Sequence, residues 1–118
     1  MTIKSGSDLI TEAKSRINEV SAADSVEALG KGTVFLDVRE PSEYALGHVP
    51  GAVFLPRGNL ETKVEAAVPR DSRVVIYCAS GNRSALAADT MAQMGYSNVA
   101  SMAGGFWDWV YAGGEVES

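Results

Sequence analysis

Cysteine is almost absent from this chain: Cys78 is the single example in 118 residues. One thiol cannot close an internal disulfide, so nothing marks the chain for an oxidising compartment. A Cys-x-x-Cys dithiol is excluded too, and with only one histidine, His48, so is a structural zinc site. Basic residues are outnumbered, ten Lys and Arg against fifteen Asp and Glu, for a net charge of −5. Binding to nucleic acid or an anionic membrane needs clustered cations, so neither is an expected partner. No apolar run approaches the roughly 18–20 residues that span a bilayer. The opening "MTIKSGSDLITEAKSRINEV" lacks the apolar stretch of a secretory signal, so the expected location is cytoplasmic. No G-x-G-x-x-G occurs, and "GKGT" at 30–33 lacks the upstream glycine of a P-loop.

What is present suits one domain, 1–118, of ordinary composition, 46% hydrophobic and 21% charged. Ser7 is the expected cap of a first helix, with Ile10, Ala13, Ile17 and Val20 as its inner stripe. "INEV" reads equally as the end of that helix or as a short edge strand. Ser21 and Asp24 resemble a capping box for a helix over about 22–29, stopped by Gly30. "TVFLDV" (33–38), "GAVFLP" (51–56), "RVVIYC" (73–78) and "NVASM" (98–102) read as short buried strands. Between them, Pro41 opens a short helix that Gly47 ends, and "LETKVEAAV" is weakly helical. Leu86, Thr90 and Met94, flanked by Ala87 and Met91, form the expected inner face of the helix after Cys78. The double glycine 104–105 turns the chain into a terminal helix. Strands alternating with short helices predict an α/β fold, a parallel sheet covered on both faces with right-handed crossovers.

The reactive candidate is Cys78, at the carboxyl end of the clearest strand and just before a helix. Ligands of open α/β sheets bind beyond the carboxyl ends of strands. Unpaired amides and the helix dipole favour negative charge there. Gly81 permits the loop to curl into an anion-binding nest, and Arg83 adds a permanent cation. A buried cysteine is often only a small apolar residue, but a glycine-bearing loop, an arginine and a helix start favour a thiolate. His48, in "GHVPG", is expected in a structural or hydrogen-bonding role rather than as a catalytic base.

"VFLDVREPSEYALGHVPGAVFLP", "VVIYCASGNRSA" and "GYSNVASMAGGFWDW" occur in that order and resemble the single-domain rhodaneses, or thiosulfate sulfurtransferases. The resemblance covers about residues 16–114, leaving 1–15 as an N-terminal helical extension. It implies a single rhodanese-like domain with a five-stranded parallel sheet and Cys78 as a sulfur-carrying nucleophile. A sulfane sulfur from thiosulfate or a persulfide donor would pass to Cys78 as a persulfide and then to a thiol or cyanide acceptor, with a sulfur-relay protein as a further candidate partner. No cofactor or metal is implied. Ala79, Ser80, Gly81, Asn82, Arg83 and Ser84 would form the loop around the persulfide. Asp37 and Arg39 would brace that loop, Arg39 being also a candidate contact for an anionic donor.

Attack by a thiolate on sulfur carrying a good leaving group needs a low-pKa thiol and a polar nest, not a general base. Cysteine phosphatases place five residues between Cys and Arg. Here Ala79, Ser80, Gly81 and Asn82 alone intervene, a smaller ring of amides suited to one sulfur atom. With Arg83 as its sole cation, the loop is expected to take thiosulfate poorly and a persulfide better. The alternative is a rhodanese-fold binding or regulatory module without significant turnover, although such modules often lack the cysteine. Trp107 and Trp109, at i, i+2 spacing, cannot share a helix face, so at most one lines the site, and packing is the expected role of both.

Overall fold

Alternation along the central strands decides what faces each layer. The computed structural model describes residues 2–118; Met1, the first residue of the expected extension, lies outside the described residues. β1 (Asn18–Val20), β2 (Val34–Asp37), β3 (Val53–Phe54), β4 (Val74–Tyr77) and β5 (Val99–Met102) form one five-stranded sheet in the order β1-β5-β4-β2-β3. Every pairing is parallel, as the α/β reading requires. β4 lies in the middle and all its residues are buried, which is why "VVIY" is apolar throughout.

Leu36, Val74, Ile76 and Cys78 point to one core, where they meet Val64 of α4 (Leu60–Ala67) and Ala87, Ala88 and Met91 of α5 (Asn82–Gln93). Phe35, Val75 and Tyr77 point to the other, against Ala22 of α2 (Ala22–Ala28) and Trp109 of α6 (Gly105–Tyr111). Period-two geometry therefore delivers the cysteine to the α5 side of the sheet. α1 (Gly6–Arg16) packs on α5, with Arg16 Nη2 2.8 Å from Asp89 Oδ2. α3 (Pro41–Leu46) starts with proline at a position whose amide would have no helical partner and ends at Gly47.

Several local expectations change. α1 is capped by Ser5 rather than Ser7, because Ser5 and Asp8 complete a reciprocal box: Asp8 N–H donates to Ser5 Oγ at 3.1 Å and Ser5 N–H to Asp8 Oδ2 at 2.9 Å. "INEV" resolves into edge strand β1, paired with β5. The strand expected over 51–56 shrinks to Val53–Phe54, since Pro56 has no amide to extend the ladder. The most buried face of α5 is Ser84, Ala85, Ala87, Ala88 and Met91, with Leu86, Thr90 and Met94 only half-buried. Small residues let the helix lie close to the sheet, and the larger ones flank that contact. No helix among the described residues is long and apolar enough to cross a membrane.

Candidate active site

β4 ends at Tyr77, and the next residue carries the thiol. Cys78 exposes 1% of its surface, yet its sulfur is not surrounded by hydrocarbon alone. Gly81 N–H donates to Sγ at 3.1 Å and Ser84 N–H at 3.4 Å. Ser84 Oγ lies 3.5 Å from Sγ and 2.7 Å from Ser101 Oγ. When Ser101 donates to Ser84, the Ser84 proton is free to point at the sulfur. Burial pushes the Cys78 thiol up, but the Ser84 hydroxyl and the amides of Ser84, Gly81 and Ser80 outweigh it, and the net displacement is below the ordinary thiol value.

Gly81 makes this geometry possible: it sits at φ 110°, where an L side chain is strained, and turns the chain from strand to helix. Gly105 is equally constrained, at φ 58°. A Cβ there would fall 2.5 Å from Cys78 O and 2.6 Å from Ala79 C and O. The gap it leaves lets the start of α6 bond the cysteine loop directly. Phe106 N–H donates to Cys78 O at 2.7 Å and Trp107 N–H to Ala79 O at 3.3 Å. Carbonyls of the loop are thus tied to α6, while its amides turn inward to the sulfur.

Other residues singled out in the sequence fall around this centre in different ways. Asn82 is exposed at the first turn of α5. Arg83 turns its guanidinium to Glu43 of α3, with Nη1 to Oε1 at 2.7 Å. Asp37 and Arg39 are both buried and pair with each other on the far side of the sheet, Nη2 to Oδ2 at 2.8 Å. Arg39 also donates to Gly47 O at 2.7 Å and lies 4.3 Å from the centre of the Phe106 ring. Its link to the loop is therefore indirect, through Phe106, and its Nε and Nη2 are committed to Asp37 and Gly47 O. His48 stacks on Tyr44 with 3.8 Å between ring centres, and its Nε2 is 3.5 Å from Glu117 Oε1. Trp109 is fully buried against Phe35, whereas Trp107 is 71% exposed.

Sequence reasoning missed Ser101 and Glu43. A serine inside an apolar parallel strand was the available sign for the first. The second had no local sign, because its partner lies forty residues on. Among the described residues, no group of three or more His, Cys, Asp or Glu side chains is arranged to hold a metal ion.

The model of the rhodanese-like domain matches residues 21–112. The chain belongs to the rhodanese-like domain family. A thiosulfate:glutathione sulfurtransferase of Saccharomyces cerevisiae is 32% identical, over 98% of this chain and 94% of its own length. The thiosulfate sulfurtransferase GlpE of Ectopseudomonas mendocina is 34% identical, over 80% of this chain and 86% of its own. A Bacillus subtilis protein provisionally named as a sulfur carrier, YrkF, is 35% identical over 91% of this chain, which spans 58% of that longer protein. Among solved structures, a Rhodopseudomonas palustris protein of unknown function superposes with a TM-score of 0.88 at 36% identity, over 99% of this chain and 98% of that one. Tyrosine phosphatase activity has been suggested for that protein. Relatives with sulfurtransferase names put this rhodanese-like chain in a sulfurtransferase family.

Proposed function

We propose that this protein is a sulfurtransferase that carries a sulfane sulfur on Cys78 as a persulfide. The observation that supports it most is the set of amides and the hydroxyl converging on Sγ. These donors favour a thiolate and continue to favour negative charge once a second sulfur is attached. In the first half-reaction the Cys78 thiolate attacks the outer sulfur of the donor. The new S–S bond forms as the donor's own S–S bond breaks, and with thiosulfate the electron pair leaves on sulfite. No proton moves, so no base is required, and none of the hydrogen bonds to Sγ comes from His48, Asp or Glu. In the second half-reaction a thiol or cyanide takes the outer sulfur and Cys78 departs as thiolate.

Phosphatase chemistry is less well served. Four residues separate Cys78 from Arg83, and Arg83 is engaged by Glu43 rather than held over the sulfur. The protein is expected to gain about 32 Da, one sulfur atom, on incubation with thiosulfate or a persulfide donor. Mass spectrometry reads this directly, and Cys78→Ser abolishes it. Absence of the adduct with every sulfane donor discards the proposal in favour of a binding or regulatory module. A thiol that titrates at or above about 8.5 in alkylation assays points the same way.

A further inference from the structure

Arg83 is the sole cation in the loop that carries Cys78, but its charge is not free. Nη1 and Nη2 bond Glu43 Oε1 and Oε2 at 2.7 and 3.1 Å, a two-pronged pair between α5 and α3. Glu43 is itself held from behind, since Oε1 accepts the Glu40 N–H at 3.0 Å within the cap of α3. Exposed Glu40 also lies close enough to act on Arg83 electrostatically, as does the negative sulfur of Cys78. The Arg83 charge is therefore matched by the Glu43 carboxylate, as that of Arg39 is by Asp37, and the surroundings of Arg83 carry no surplus positive charge for an incoming anion.

We propose that Glu43 is a specificity-determining residue: by neutralising Arg83 it biases sulfur donation toward singly charged sulfane donors, persulfides and thiosulfonates, and against the thiosulfate dianion. The inference rests on the persulfide reading above. Both donor classes balance in the same way. The Cys78 thiolate bonds the outer sulfur, the donor S–S bond breaks, and the electron pair leaves on sulfite from thiosulfate or on sulfinate from a thiosulfonate. Only the charge brought to the site differs, two units against one.

The test compares kcat/KM for thiosulfate and for methanethiosulfonate, with cyanide as acceptor, in wild type, Glu43→Gln, Arg83→Gln and the double variant. The ratio of the two donors is independent of how much enzyme is folded. Glu43→Gln is expected to raise the thiosulfate-to-thiosulfonate ratio about three-fold at low salt, the size of one extra unit of donor charge acting across several ångströms of high dielectric. Arg83→Gln lowers the ratio by a similar factor, the double variant returns it to the wild-type value, and 1 M salt, with a Debye length of about 3 Å, flattens both single-variant shifts. A ratio unchanged in both single variants, or both donors falling in proportion, overturns the inference and leaves Glu43 a packing residue. If wild type turns over both donors, that failure touches donor preference alone. If wild type accepts sulfur from neither, the persulfide reading fails and this inference with it.

Discussion

The two faces of the sheet at its carboxyl end each bury an ionisable acidic group, and they surround it by opposite means. On the α5 side, the Cys78 sulfur is met by backbone amides and a hydroxyl, none of which carries a formal charge. On the α6 side, the Asp37 carboxylate is met by the Arg39 guanidinium and the Arg39 amide, at 2.8 and 2.9 Å. A fixed counter-ion locks its partner, since each would be left uncompensated without the other. Dipoles can hold a charge without cancelling it, the arrangement that the proposed nucleophile requires. One cluster locks two charges together, and the other, in the proposed function, leaves an atom reactive.

Removing one member of each cluster should expose that contrast most strongly. Asp37→Asn leaves buried Arg39 without a counter-charge, and urea unfolding is expected to show a loss of about 3–5 kcal/mol. Cys78→Ser, measured alongside, should stay within about 1 kcal/mol, because the same amides can bond a hydroxyl. Equal losses would mean that both clusters are structural. Gly105→Ala attacks the seam on which the sulfur side depends, forcing a Cβ onto the Cys78 and Ala79 backbone at positive φ. Unfolding experiments should register about 1–3 kcal/mol, with sulfur-transfer rates reduced even where the variant is folded. Unimpaired transfer would show that the contacts to α6 do not shape the loop.

A finer probe is Ser84→Ala, which deletes one donor to the sulfur and leaves the backbone intact. Because that hydroxyl lowers the thiol's pKa, its loss moves the inflection of iodoacetamide reactivity to higher pH. At neutral pH the alkylation rate should fall roughly ten-fold, the worth of a hydrogen bond to a charged group at ~1.5 kcal/mol. An unmoved inflection would assign the stabilisation wholly to the amides. Linkage fixes the corresponding sign for stability. A thiol whose pKa is depressed by folding stabilises the native state above its unfolded pKa, and that contribution is lost as pH falls through the folded value.

The fold was legible because its signals are local. An apolar run into Cys78, Pro41 at a helix start, Gly47 at its end and Ser21 beside Asp24 each act over a few residues. The cysteine loop was legible for the same reason, since Cys78, Gly81 and Ser84 all lie within one short turn of the chain. What escaped depends on distance through space. Glu43 and Arg83 meet because α3 and α5 adjoin at the sheet end, and Ser101 reaches Ser84 only once β5 lies beside β4. The pairing of Arg39 with Asp37 likewise depends on which way β2 turns that carboxylate, to the opposite face from Cys78. The cap of α1 was misplaced by two residues because Ser5 and Ser7 compete there, and of the two only Ser5 has an acidic residue three positions on.

The carbonyls of Cys78 and Ala79, fastened to the first amides of α6, bear on the energetics of charge movement. The peptide plane pinned at Ala79 O also carries the Ser80 N–H, one of the amides that lower the thiol's pKa, so that N–H cannot swing freely away from the sulfur. In the proposed transfer, a dipole held in this way would not have to reorient as negative charge shifts outward by one atom and back again, which lowers the reorganisation that such a shift requires in water.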